Sequence, residues 1–99
     1  MTFAQKIVLH CPRGYRMGLD ALVRQFIADG VKYVGVVGES VDEVSDIIIE
    51  ILAAERASPK PFIAVSLHRD ESVSEAVEFA RVSMTDMGDD EPQVVLLDA

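Results

Sequence analysis

Four short runs rich in β-branched and aliphatic residues divide the chain at nearly even intervals: QKIVLH (5–10), VKYVGVV (31–37), FIAVSLH (62–68) and QVVLLD (93–98). The stretches between them carry apolar residues at helical rather than alternating spacing, and breakers punctuate the junctions. Strands that alternate with stretches of a dozen or so residues leave few folds open. A parallel neighbour can be reached only by a crossover of about that length, and the crossover is usually a helix.

The helical stretches can be followed residue by residue. Tyr15, Leu19, Leu22, Val23, Phe26 and Ile27 fall on one face, and Gly30 is a natural left-handed stop. Ser40 and Glu43 have capping-box spacing, in which each side chain serves an orphan backbone donor. Val41, Val44, Ile47, Ile48, Ile51 and Leu52 form the stripe that follows, and ASPKP (57–61) closes it, because the residue before a proline is pushed out of helical geometry. Ser72 and Glu75 repeat the capping spacing ahead of Val73, Ala76, Val77 and Ala80. TDMGDDEP (85–92) is an acidic, breaker-rich loop before the last strand. The order β-α-β-α-β-α-β predicts an α/β fold over one domain, residues 1–99. Its expected form is a four-stranded parallel sheet with three helices in a flavodoxin-like or Rossmann-like three-layer arrangement, with strand order 2-1-3-4.

Right-handed crossovers give that topology a consequence. Three helices distribute two to one over the faces of a four-stranded sheet, and the order 3-2-1-4 gives the same split. In the last strand Val94 and Leu96 point to one face and Val95 and Leu97 to the other, so apolar residues meet both layers. One of these pairs lacks a helix of its own chain to cover it. Exposed apolar patches mark interfaces, so Val94, Val95, Leu96 and Leu97 are interface candidates. The expected partner is a second copy, as in a homodimer or other homo-oligomer, or a larger protein. Met84, Met87 or Phe3 folding over the gap is the alternative.

Charge narrows the partners. The net charge is −8, divided into +3 over residues 1–37 and −11 over residues 38–99. An acidic surface repels phosphate backbones and anionic lipid, so neither nucleic acid nor membrane is expected as a partner. No apolar run reaches the length of a membrane span. The start MTFAQKIVLHCP lacks the long apolar region and small-residue cleavage site of a signal peptide, so the expected location is cytoplasmic. One cysteine makes no internal disulfide. His10 and His68 lack partners at ligand spacing, so no metal or cofactor is expected.

Open α/β sheets bind ligands beyond the carboxyl ends of their strands, where the strand order reverses. For order 2-1-3-4 that point joins HCPRGYR (10–16) to LHRDES (67–72), flanked by GES (38–40) and Asp98. His10, Arg13, Arg16, His68, Arg69 and Ser72 would gather there, beside helix N-termini that favour anions. A small anionic ligand is the expected occupant, with Arg13, Arg16, His68, Arg69 and Ser72 as its candidate contacts. The competing expectation is that Arg13 and Arg69 pair with Glu39, Asp70 or Asp98.

Cys11 is the candidate nucleophile, since a thiolate beside arginines at a helix N-terminus is activated. The stretch IVLHCPRGYRMGL resembles the phosphocysteine loop of IIB phosphocarrier domains of sugar phosphotransferase systems, in which a strand ends in Cys, two residues, Gly and a loop running into a helix. The resemblance implies that Cys11 accepts a phosphoryl group cradled by the backbone of residues 12–17. It covers about a dozen residues, and Arg16, Met17 and Gly18 stand where that family is rich in Ser and Thr. The stretch is similar also to low-molecular-weight tyrosine phosphatases, which place an Arg six residues after the Cys; here that position is Met17, and Asp89, Asp90 and Asp98 are the candidate general acids. A free cysteine is more often a small buried apolar residue. The residues together favour a non-enzymatic binding or oligomerising module with an anion site at the carboxyl edge of the sheet, over a cysteine-dependent phosphoryl carrier or phosphatase.

Overall fold

The alternation read from the sequence is the one the chain adopts. A computed structural model describes residues 2–55, 62–87 and 91–97. The elements are β1 (Lys6–Cys11), α1 (Leu19–Asp29), β2 (Tyr33–Gly38), α2 (Val41–Ala54), β3 (Ala64–His68), α3 (Val73–Ser83), a 3-10 turn (Thr85–Met87) and β4 (Gln93–Leu96). Every neighbouring pair of strands is parallel. The proposed helix-closing segment 57–61, the aspartates at 89 and 90, and Asp98 lie outside the described residues.

The strand order is β3-β2-β1-β4 and not 2-1-3-4. Both orders satisfy right-handed crossovers, and burial decides between them. An interior strand must be apolar on both faces, and β2 is buried from Tyr33 to Val37. β3 carries Ser66 and His68 on one face and is only half-buried along most of its length, which suits an edge.

This order redistributes the helices. The first two crossovers run the same way across the sheet, so α1 and α2 share one face and α3 stands alone on the other. On the first face Ile7, Leu9, Val34 and Val36 pack with Leu19, Val23 and Phe26 of α1 and with Val44, Ile48 and Ile51 of α2. On the second, Val8, Tyr33 and Val37 pack against Ala76 and Ala80, whose small side chains bring α3 close to β1 and β2. The two-to-one imbalance is therefore present. Val95 and Leu97 face the two-helix layer, whereas Val94 and Leu96 are 49% and 56% exposed beside α3. Phe3 does not cover them: it packs edge-on to Phe26, 4.9 Å between ring centres, on the opposite face. Met84 packs in the smaller core, and the Met87 side chain lies outside what is described.

The helix ends follow their sequence signals with two exceptions. Gly30 ends α1 in the left-handed region, and its N–H donates to the Ile27 carbonyl. Ser72 and Glu75 form the full capping box: the Glu75 N–H donates to Ser72 Oγ at 3.1 Å, and the Ser72 N–H donates to Glu75 Oε1 at 3.0 Å. α1, however, starts at Leu19, and Tyr15 is exposed in the preceding loop. Ser40 precedes α2 with a left-handed backbone (φ 51°) and makes no side-chain cap bond. Its side chain stands over Gly14 of the neighbouring loop instead.

Candidate functional site

The carboxyl ends of the strands carry three βα turns, and a backbone carbonyl organises two of them. The Cys11 C=O accepts from the Glu39 N–H at 2.8 Å and from the Gly14 N–H at 3.2 Å, tying the turn after β2 to the loop after β1. The thiol of Cys11 points elsewhere. It is 0% exposed within the two-helix core, and burial pushes its pKa up to about 11. At neutral pH it is a thiol, and a nucleophile for phosphoryl transfer must be an accessible thiolate. The loop that resembles a phosphocysteine loop thus holds its sulfur on the wrong side of the sheet for that chemistry. The candidate general acids Asp89, Asp90 and Asp98 lie outside the described residues.

The strand order also moves the crevice. The order reverses between β1 and β4, so the loop 12–18 borders the end of β4 at Leu97, whose N–H donates to the His10 carbonyl at 2.9 Å. The turn after β3 lies two strands away. The expected constellation is therefore divided: Arg13 and Arg16 stand at the switch point, while His68, Arg69 and Ser72 stand at the far edge.

Each member of the far group has a structural occupation. Arg69 is ion-paired to Asp42 at the start of α2, a partner different from the Glu39, Asp70 and Asp98 expected of it. Ser72 is spent on the capping box. A hollow of about 290 Å³ opens between the two turns, lined by Gly38 to Asp42, Arg69 and Asp70. Its carboxylates, Glu39, Asp42 and Asp70, outnumber Arg69, so the cleft favours no anion. Arg13 and Arg16 make no ion pair among the described residues.

His68 is 3% exposed and belongs to a polar network on the face of α3. Its Nε2 lies 2.8 Å from Ser66 Oγ and 3.2 Å from Tyr33 Oη, and its Nδ1 lies 3.2 Å from Glu71 Oε1. Tyr33 Oη and Ser66 Oγ are 2.5 Å apart. One ordering of protons satisfies the whole chain: Tyr33 donates to Ser66, Ser66 to Nε2, and Nδ1–H to Glu71. Phe79 of α3 closes the site edge-on, 5.0 Å from the imidazole. Burial pushes the Tyr33 phenol up, an effect that the Ser66 hydrogen bond opposes and Glu71 reinforces. The sheet makes room for this network at Gly35, where a Cβ would stand 2.6 Å from Tyr33 Oη and 3.2 Å from His68 Nε2. Sequence reading took His68 as a strand-end cation and missed its partners. The available signal was the Ser-x-His spacing, which puts both side chains on one face of a strand.

Among the described residues no group of three or more His, Cys, Asp or Glu side chains is placed to hold a metal ion, and no helix is long and apolar enough to cross a membrane. Fold and edge together define a small parallel α/β domain with an unequally covered sheet, a buried thiol and a polar cluster on the strand farthest from β4. The chain belongs to the family described as Domain of unknown function (DUF7684), whose model matches residues 6–99. No curated protein and no solved structure matches it.

Proposed function

We propose that the chain is a self-associating α/β module that pairs with a second copy of itself through β4. The observation that carries this reading is the exposure of Val94 and Leu96 on the strip of sheet beside α3 that no described helix covers. β4 is an edge strand, and the unpaired backbone of an edge is a template for another strand. Two copies related by a two-fold axis bring Val94 of one beside Leu96 of the other, and the same patch serves both sides, as a closed dimer requires. Charge supports a second copy as the occupant. Each chain carries −8, yet Gln93 to Leu96 are uncharged, and Glu91 at the start of the strand is held by Arg81 at 3.0 Å. Two acidic chains therefore meet along β4 without setting charged side chains of the strand itself against each other. Size-exclusion chromatography with light scattering tests the reading: a dimer for the wild type and a folded monomer for Leu96→Asp. A wild-type monomer at high micromolar concentration overturns it, and a 1:1 complex with a different protein assigns the patch to a larger partner.

The anionic ligand of this reading belongs at the β1–β4 switch point, on Arg13 and Arg16, because Arg69 is engaged by Asp42. Phosphate titration followed at the Gly14 amide tests this, with Arg13→Gln plus Arg16→Gln as the variant that loses the response. A wild-type amide that does not respond at millimolar phosphate removes the ligand from the proposal.

A further inference from the structure

Ser66 and His68 are two residues apart on β3, so both project to the α3 side of the sheet. We propose that Ser66 is a nucleophile for acyl transfer, with His68 as its general base and Glu71 as the carboxylate that positions the imidazole. The contacts are those such a site requires, on the nitrogens that require them. Nε2 faces the serine oxygen at 2.8 Å, and Nδ1 faces the carboxylate at 3.2 Å. Phe79 packs edge-on against the His68 ring, while Ser66 is only half-buried and sits on an edge strand of the sheet. The Tyr33 hydroxyl, 2.5 Å from Ser66 Oγ, is a hydrogen-bond donor beside the reacting oxygen. Gly35 is the second sign that the cluster is built in. A central strand gives up a side chain where any Cβ would strike Tyr33 Oη.

The substrate class this chemistry takes is an ester. Ser66 Oγ attacks the carbonyl carbon, and its proton passes to His68 Nε2. The tetrahedral intermediate collapses with rupture of the bond to the leaving alcohol oxygen, which takes that proton. Water then attacks the acyl-serine with His68 again accepting the proton, which returns to Ser66 Oγ as the carboxylic acid departs. This activity goes beyond the self-association reading and is independent of it, since β3 and β4 are opposite edges of the sheet.

Two probes test it on the full chain: turnover of p-nitrophenyl acetate, and labelling by a fluorophosphonate, which loses fluoride as the serine oxygen bonds to phosphorus. The expected result is a single adduct mapped to the peptide containing Ser66, absent in Ser66→Ala. Glu71→Gln, with an unchanged circular dichroism spectrum, slows labelling by roughly a hundredfold and alters its pH profile. The proposal is overturned if folded wild-type protein acquires no adduct at Ser66 under millimolar probe, or if turnover is the same in Ser66→Ala. It is overturned equally if Glu71→Gln labels at the wild-type rate. The wild-type map alone decides the first of these, so a variant that misfolds leaves the test intact.

Discussion

A Cβ placed on Gly38 would stand 2.3 Å from the carbonyl oxygen of Cys11. That carbonyl is the acceptor joining two βα turns, so the end of β2 is packed against the end of β1 backbone to backbone. Gly38 holds φ +125°, which L side chains rarely adopt. Gly38→Ala therefore meets both strain and a clash that no side-chain rotation relieves. The expected loss is about 3 kcal/mol or more of unfolding free energy, read from urea denaturation, with the Glu39 amide losing its exchange protection.

Cys11 behaves as a core residue. With its pKa raised from 9.0 to about 11 by burial, the folded state holds the thiol proton more tightly than the unfolded chain. This stability is fully present below pH 9.0 and is lost as pH rises from there through about 11, a loss of about 3 kcal/mol across the window. The raised Tyr33 phenol adds a loss of the same sign. Equilibrium unfolding between pH 8 and 11 should show this slope, and Cys11→Ala should flatten it, leaving the Tyr33 part. At pH 7.5 a disulfide reagent should label Cys11 only after denaturant is added.

Ser45 lies on the inner side of α2, 1% exposed, and its Oγ has no hydrogen-bond partner among the described residues. A buried hydroxyl without a partner costs stability, and alanine is the better helix former. Ser45→Ala should raise stability by about 1 kcal/mol, measured as a shift of the urea midpoint at constant slope.

Ser72 serves α3 through both halves of its capping box. Ser72→Ala leaves the Glu75 N–H without its acceptor and should cost about 1 kcal/mol. Ser40→Ala is the matched control. Ser40 has the same spacing to an acidic residue but makes no cap bond, so its replacement should change stability far less.

That contrast shows what the sequence could and could not reveal. Periodicity identified the four strands and three α-helices of the described residues, though not the 3-10 turn at Thr85–Met87, because the pattern of apolar residues is what the layers bury. The capping box at Ser72 was readable for the same reason, as a purely local arrangement. At Ser40 a distant contact prevailed: the turn is pulled onto the Cys11 carbonyl, its backbone becomes left-handed, and the local signal is overridden. Strand order failed similarly, since handedness permits more than one order. The polar residues of β3 were the overlooked cue that it is an edge. The candidate site suffered most, because its expected members were gathered by a topology that the chain does not adopt. Burial of Cys11 follows from its side of the strand, in phase with Ile7 and Leu9, and that phase was visible from the start.

β1 has β4 as one of its two neighbours, and the Ala4 N–H donates to Gln93 Oε1 across 89 residues of chain. β1 therefore waits on one flank for a strand that emerges far later, while β2 on its other flank, and β3 beyond β2, are supplied in order. Loop-closure entropy makes such a pairing slow relative to the local crossovers. Until it forms, the β4-side flank of β1 is an unpaired apolar edge, and a growing chain is then most exposed to mispairing with its neighbours.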